Sequence, residues 1–161
     1  MYNNKIIWFT GLSGAGKSTL ANTLLKSLNK KKFKCKIIDG DQFRKEKKYK
    51  NSFTKKEIIK NNNLIIGRIS KIYKFYDFTL VSVISPLKST RLKAKKKFGD
   101  SYIEIFVYCG IKELIRRDTK GLYKLAKAKK INNLIGYNSK VKYEKTNYKK
   151  LIVNTKLKNI N

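Results

Sequence analysis

Gly11-Leu12-Ser13-Gly14-Ala15-Gly16-Lys17-Ser18 matches the pattern G-x-x-x-x-G-K-[ST] at every defined position. The stretch follows a short apolar run, residues 5–10 (KIIWFT), and precedes residues 18–28, where apolar side chains recur at helical spacing. A strand, a glycine loop and a helix in this order are the context of a phosphate-binding loop. An unrelated turn that happens to match the pattern is the alternative, but it would not require this context.

Each residue type in the loop has a chemical reason to be there. The glycines let backbone N–H groups converge on phosphates, and the helix that follows offers its positive N-terminus. Lys17 is expected to reach the β- and γ-phosphates of ATP, and the Ser18 hydroxyl is a hard-oxygen ligand suited to Mg²⁺. The residues expected to bind ATP here are Gly11, Leu12, Ser13, Gly14, Ala15, Gly16, Lys17, Ser18 and Thr19.

The rest of the chain alternates between apolar runs and helical patterns. Strands are predicted over residues 5–10, 35–38, 78–84, 102–108 and 151–154. Helices are predicted over residues 18–28, 64–75, 88–98 and 111–117, with a polar, lysine-rich stretch up to about residue 63. This alternation predicts an α/β fold of the P-loop nucleoside triphosphate hydrolase type, with helices on both faces of a parallel sheet. The 161 residues are expected to form one domain.

Two of the scarce carboxylates come at the end of the second predicted strand, where parallel sheets bind ligands. Asp39 and Asp41 are two residues apart, and on an extended segment both side chains would point the same way. One would then lie near Mg²⁺ while the other orients or deprotonates the acceptor's hydroxyl. The alternative is a simple Asx-type turn around Gly40.

The composition bears on the possible partners and excludes two kinds of active site. The sequence has 40 Lys and Arg against 10 Asp and Glu, a formal charge of +30, which is compatible with a nucleic-acid partner. The basic residues are spread along a chain also rich in Asn, Ile and Tyr, so genome-wide compositional bias is the preferred explanation and nucleic acid is not an expected partner. The chain has no histidine, which excludes a Ser-His-Asp triad and a histidine zinc site.

The expected location is the cytoplasm. Cys35 and Cys109 are far apart and form no C-x-x-C pair, so they are expected to be core residues in a reducing compartment. No apolar run approaches the roughly 18 residues that a membrane span needs, and no membrane partner is expected.

Five stretches together resemble the adenylyl-sulfate kinases. In chain order they are WFTGLSGAGKST, DGDQFR, ISP, RDTKGLYKLAKAKKINN and IGYNS, and the resemblance covers about residues 7–155. It implies transfer of phosphate from MgATP to the 3′-hydroxyl of adenosine 5′-phosphosulfate, a nucleotide acceptor, by an enzyme that forms a homodimer. It also implies a lid over about residues 118–139.

The resemblance assigns roles to individual residues. The catalytic set is Lys17, Asp41 and Ser85, and Arg117, just before the lid stretch, contacts ATP. The expected metal ligands, from the loop motif and the strand-end carboxylates described above, are Ser18 and Asp39. The residues implied to bind the acceptor are Asp41, Arg44, Phe53, Asn61, Ile84, Ser85, Lys120, Gly121 and Leu122.

The sequence departs from the family on the acceptor side. Ile58 stands where the family has an arginine, Leu134 where it has a stacking phenylalanine, and Asn138 where it has an aspartate. Lys55, Lys56 or Lys60 could replace the missing charge. A kinase for a related nucleotide, such as cytidine diphosphoramidate in capsule biosynthesis, is therefore an alternative. A nucleic-acid-binding protein on a degenerate kinase scaffold is a more remote one.

Overall fold

The computed structural model describes residues 4–46 and 54–156, and within them the chain forms one sheet of five parallel strands. The strands are β1 (Lys5–Thr10), β2 (Cys35–Asp39), β3 (Phe78–Ser82), β4 (Tyr102–Tyr108) and β5 (Leu151–Asn154). Their order is β2-β3-β1-β4-β5, so β1 is the central strand. Because all strands run the same way, their carboxyl ends meet at one edge of the sheet.

Helices cover both faces of the sheet, as the sequence predicts. They are α1 (Lys17–Lys30), α2 (Gly40–Glu46), α3 (Lys55–Ile72), α4 (Lys88–Phe98), α5 (Ile111–Arg117) and α6 (Leu122–Lys127). Side chains of β1 alternate between the two faces. Trp8 packs with Ile65 of α3 and Ala94 of α4, whereas Phe9 packs with Ala21 of α1 and Leu114 of α5. The predicted α/β fold is confirmed.

Helix α1 extends beyond its predicted range of 18–28 by one residue at its start and two at its end, and α3 differs more. Helix α3 begins at Lys55 rather than at residue 64, because Thr54 caps it: the Thr54 hydroxyl accepts from the Glu57 N–H and donates to the Glu57 carboxylate. Its α-helical part ends at Ile72, and a 3₁₀ turn, Tyr73–Phe75, follows. The short helices α2 and α6 were not predicted. None of the helices in the two described ranges is both long and apolar enough to cross a membrane.

Candidate active site

The phosphate loop leaves the central strand by a turn that only glycine fits. A Cβ on Gly11 would lie 2.2 Å from the carbonyl oxygen of Val107 in β4, and its φ of +144° is unfavourable for other residues. Gly16, with φ +92°, is the residue before α1 and turns the chain into the helix. The loop thus lies at the carboxyl edge of the sheet, with the N-terminus of α1 facing it.

Lys17 is buried beside this loop. Its exposed fraction is 8%, and its Nζ donates to the carbonyl oxygen of Leu12 at 2.8 Å. Burial, and after it the positive charge of Lys120, lower the pKa of Lys17 to about 7. A nucleotide phosphate at this point would supply the negative charge that the buried ammonium lacks.

Ser18 and Asp39 form an oxygen pair at the start of α1 and the end of β2. The Ser18 hydroxyl donates to Asp39 Oδ2 at 2.6 Å and lies 3.0 Å from the Ser82 hydroxyl. Hydroxyl and carboxylate oxygens are the ligands that Mg²⁺ takes in phosphotransferases. The donor set therefore fits that ion, with Ser82 as a third oxygen that the sequence did not indicate.

Asp39 also caps helix α2, which agrees with the alternative of an Asx-type turn, while its role as a metal ligand stays a prediction. Its Oδ1 accepts from the backbone N–H groups of Asp41, at 2.9 Å, and Gln42, at 3.3 Å. The prediction that Asp39 and Asp41 lie on one extended segment is wrong, because Asp41 is in the first turn of α2. The helix nevertheless places the Asp41 carboxylate in the same cavity.

Asp41 carries two ion pairs. Its Oδ1 accepts from Arg44 on the same helix, and its Oδ2 accepts from Lys120 in the predicted lid. Burial of the carboxyl raises its pKa, but the hydrogen bond from Lys120 and the charges of Arg44, Lys120 and Lys17 outweigh this, so the pKa of Asp41 is lowered. Asp41 is thus ionised at neutral pH.

The larger cavity, of about 260 Å³, is enclosed by these groups, and we call it the donor cavity. The predicted site residues that line it are Ser13, Gly14, Gly16, Lys17, Ser18, Thr19, Asp39, Asp41, Arg44, Ile84, Arg117 and Lys120. Arg117 is held there by Glu113 at 2.6 Å and by the carbonyl oxygen of Thr155 at 2.8 Å. Thr155 was not predicted, since it comes after the last strand and belongs to no motif.

A smaller cavity, of about 30 Å³, adjoins the first, and we call it the acceptor cavity. Its lining is Arg44, Glu57, Ile58, Asn61, Asn62, Val83, Ile84, Ser85, Pro86 and Ile135, of which Arg44, Val83 and Ile84 also line the donor cavity. Asn61 is buried, and within the described residues its Oδ1 accepts no hydrogen bond. Phe53 lies outside the described residues.

Several residues singled out for the acceptor side lie inside the protein or outside both cavities. Ser85 is 1% exposed and donates to Asn62 Oδ1 at 2.6 Å, so its hydroxyl is engaged inside the protein. Leu134 is buried in the core and lines neither cavity; its neighbour Ile135 lines the acceptor cavity. The residues Gly121, Leu122, Lys55, Lys56 and Lys60 also line neither cavity.

The lid segment is attached to the phosphate loop. The hydroxyl of Tyr123 in α6 donates to the carbonyl oxygen of Ser13 at 3.0 Å, and Gly136 packs against the Leu12 side chain. Asp118 accepts from the backbone N–H groups at the start of α6. Lys120 lines the donor cavity and is joined there by Thr119, which was not predicted.

The family model described as adenylylsulphate kinase matches residues 3–154. The chain belongs to the adenylyl-sulfate kinase family. A probable adenylyl-sulfate kinase of Archaeoglobus fulgidus is 34% identical over 151 residues, which are 93% of this chain and 95% of that protein. Adenylyl-sulfate kinases are phosphotransferases that act on an alcohol group, and this chain is such an enzyme.

Solved structures give the same result. The APS kinase of Mycobacterium tuberculosis in complex with AMPPNP and APS superposes with a TM-score of 0.85 and 29% identity, over 94% of this chain and 88% of that one. The hexameric APS kinase from Thiobacillus denitrificans is 31% identical, with a TM-score of 0.55 over 63% of this chain and 21% of that one. The cytidine diphosphoramidate and nucleic-acid interpretations gain no support from these relatives.

Proposed function

We propose that the chain transfers the γ-phosphate of MgATP to the 3′-hydroxyl of adenosine 5′-phosphosulfate, in sulfate assimilation. One observation carries the proposal: a donor cavity and an acceptor cavity adjoin through Arg44, Val83 and Ile84, and the Asp41 carboxylate lies in the donor cavity beside Arg44. The relative solved with AMPPNP and APS supports the choice of both substrates.

Donor binding follows from the phosphate loop. The loop N–H groups and Lys17 would hold the phosphates, and Ser18 and Asp39 would hold Mg²⁺. The ion supplies positive charge to the phosphate oxygens when bound. Lys17 is poised for this task because its buried nitrogen donates to the uncharged carbonyl oxygen of Leu12, and a phosphate would add a negative charge beside it.

Asp41 would orient the acceptor. In the transfer, the acceptor oxygen forms a bond to the γ-phosphorus, the bond from that phosphorus to the β–γ bridging oxygen breaks, and the hydroxyl proton passes to a base. Asp41 is ionised and can accept that hydrogen bond once Lys120 leaves it. A Lys120 that moves from the carboxylate to the phosphates would stabilise the donor and also make Asp41 more basic.

A cytoplasmic location and self-association belong to the same proposal. ATP is the donor, which favours the cytoplasm, and the Thiobacillus denitrificans relative is described as hexameric. Sedimentation of the purified chain over a range of concentrations would measure its assembly state; a monomer at all concentrations would contradict self-association.

Conversion of ATP to ADP by the purified protein tests the function. Adenylyl sulfate and cytidine diphosphoramidate are offered separately, with wild type, Asp41→Asn and the control Asp100→Asn, whose carboxylate is exposed and outside both cavities. We expect turnover with adenylyl sulfate, reduced roughly 10²–10⁴-fold by Asp41→Asn and unchanged by Asp100→Asn. Turnover with the cytidine compound alone would overturn the proposed acceptor.

A further inference from the structure

A fully buried ion pair lies beneath α4, on the face of the sheet opposite α1. Arg91 of α4 is 0% exposed and Glu104 of β4 is 3% exposed, with Nε and Oε1 3.5 Å apart. Removing two charges from water is unfavourable, and an apolar pair of similar volume is often at least as stable. Stability alone therefore gives a weak reason for a pair at this position.

Arg91 has further partners that connect it to the acceptor cavity. One terminal nitrogen donates to the carbonyl oxygen of Ser85, which lines that cavity. The other donates to the carbonyl oxygen of Glu144, and the guanidinium lies 4.8 Å from the centre of the Tyr143 ring. The fixed fork of the guanidinium thus joins two chain segments that are far apart in sequence.

The second segment, residues 140–150, we call the strap. Its Glu144 N–H donates to the carbonyl oxygen of Pro86 at 2.8 Å, and the Glu144 carboxylate accepts from the Lys88 N–H at the start of α4. The Tyr143 hydroxyl is 2.8 Å from the hydroxyl of Thr10, the residue before the phosphate loop. The strap therefore connects the end of β1 with the turn at 85–86.

That turn holds an unfavourable backbone conformation. Ser85 has φ +44°, in the left-handed region that a residue with a side chain rarely adopts. Such conformations persist where several contacts from the surrounding structure hold the backbone in place. Here three hydrogen bonds hold the turn. Thr10 donates to the carbonyl oxygen of Ile84 at 2.6 Å, the Ser85 hydroxyl donates to Asn62, and Arg91 donates to the carbonyl oxygen of Ser85.

We infer that Arg91 is a positioning residue for the acceptor, and that Glu104 and Tyr143 assist it. Glu104 fixes the guanidinium, the guanidinium and the strap fix the Ser85 turn, and the turn shapes one wall of the acceptor cavity. This inference rests on the proposed function. A displacement of about 1 Å at a binding wall can reduce a rate by up to 10²-fold.

Steady-state kinetics separate this role from simple support of the fold. Arg91→Lys keeps the charge opposite Glu104 but cannot bridge two carbonyl groups; Tyr143→Phe keeps the ring and removes the hydroxyl near Thr10. The control is Tyr73→Phe, at a partly buried tyrosine that packs against Phe98 and lies outside the strap and both cavities. KM for adenylyl sulfate and for ATP, kcat and the urea midpoint are measured for each.

We expect Arg91→Lys to raise KM for adenylyl sulfate about tenfold, with KM for ATP within about twofold of wild type. Tyr143→Phe should raise KM for adenylyl sulfate by a smaller factor. If the Arg91→Lys variant does not fold, the Tyr143→Phe variant tests the inference by itself. Tyr73→Phe should leave both KM values unchanged. Variants that lose kcat or stability while both KM values stay unchanged would overturn the inference. A wild-type protein with no turnover of adenylyl sulfate would overturn the proposed function, and the inference with it.

Discussion

The donor and acceptor sides of the site are built in different ways. The donor side comes chiefly from one continuous stretch, β1, the phosphate loop and α1, and its key contact joins Ser18 to Asp39 at the next strand end. The acceptor side comes from α2, α3, the turn after β3 and a residue of the lid segment. A continuous motif carries its own local geometry, whereas a scattered cavity depends on tertiary contacts. Substitutions should therefore affect the two sides differently.

Of the substitutions that compare the two sides, the one with the largest expected effect is on the donor side. Lys17→Met removes the ammonium that faces the phosphates, and we expect kcat to fall roughly 10²–10³-fold. Stability should not fall, because a buried charge is removed and a side chain of similar length remains. Turnover of ATP and a urea unfolding curve measure both effects. Lys30→Met, at the exposed end of α1, is the control and should keep full activity. Activity of Lys17→Met within tenfold of wild type would contradict the assigned role.

A smaller effect is expected where the lid meets the phosphate loop. Gly136 has φ +85°, and a Cβ there would lie 2.7 Å from the terminal carbons of Leu12. Gly136→Ala should lower the free energy of unfolding by about 1–3 kcal/mol.

Gly67→Ala is the matched control for this substitution. It lies within α3 with nothing near its added Cβ, and should raise the free energy of unfolding by about 1 kcal/mol. Urea midpoints report both changes. Equal stability of the Gly136→Ala variant and wild type would mean that the lid is not fixed to the loop at this contact.

On the acceptor side, one substitution should improve stability while it weakens binding. Asn61 has a buried Oδ1 that no described residue hydrogen-bonds, an arrangement that costs about 1–3 kcal/mol. Asn61→Leu should therefore raise the free energy of unfolding by about 1 kcal/mol. It should also raise KM for the acceptor about tenfold, since the amide no longer meets a polar group of the ligand.

The control for Asn61→Leu is Asn62→Leu. The Asn62 side chain donates to the carbonyl oxygen of Ile58 and accepts from Ser85, so its removal should lower stability instead. A fall in stability for both variants would show that Asn61 has a structural partner. An unchanged KM in Asn61→Leu would remove Asn61 from the acceptor site.

The same contrast explains what could be predicted from sequence. The five strands and the phosphate loop could be predicted, because apolar runs and glycine spacing are local signals. Helix α2 could not, because it is seven residues long, begins with Gly40 and takes its cap from Asp39. The Thr54-x-x-Glu57 capping pattern could have indicated the early start of α3, but the surrounding lysines interrupt the apolar spacing from which the helices were predicted.

Side-chain direction on the acceptor side was beyond sequence reasoning. The resemblance matched Leu134 to a family phenylalanine that stacks on the acceptor. The chain turns tightly at this point, with the carbonyl oxygen of Leu134 accepting from the N–H groups of residues 137–139. Adjacent side chains in such a turn point in different directions, and Ile135 rather than Leu134 reaches the cavity. Likewise, no local pattern indicates that the buried Arg91 contacts the Ser85 turn.

The smallest expected effect is a proton taken up on the donor side. In the free protein the pKa of Lys17 is about 7, so at pH 8 most molecules carry it neutral. Bound phosphates favour the charged form and raise that pKa, so ATP binding at pH 8 should take up a proton, approaching one per site. At pH 6 Lys17 is already protonated, and its uptake should be close to zero.

Calorimetric titrations in buffers of different ionisation enthalpy measure this uptake. The uptake at pH 8 should disappear in Lys17→Met and persist in Lys30→Met. Equal uptake in wild type and Lys17→Met would assign the proton to another group. Uptake that depends on Lys17 would instead show that the nucleotide itself charges the buried lysine, and that the donor side is completed electrostatically only when its ligand is bound.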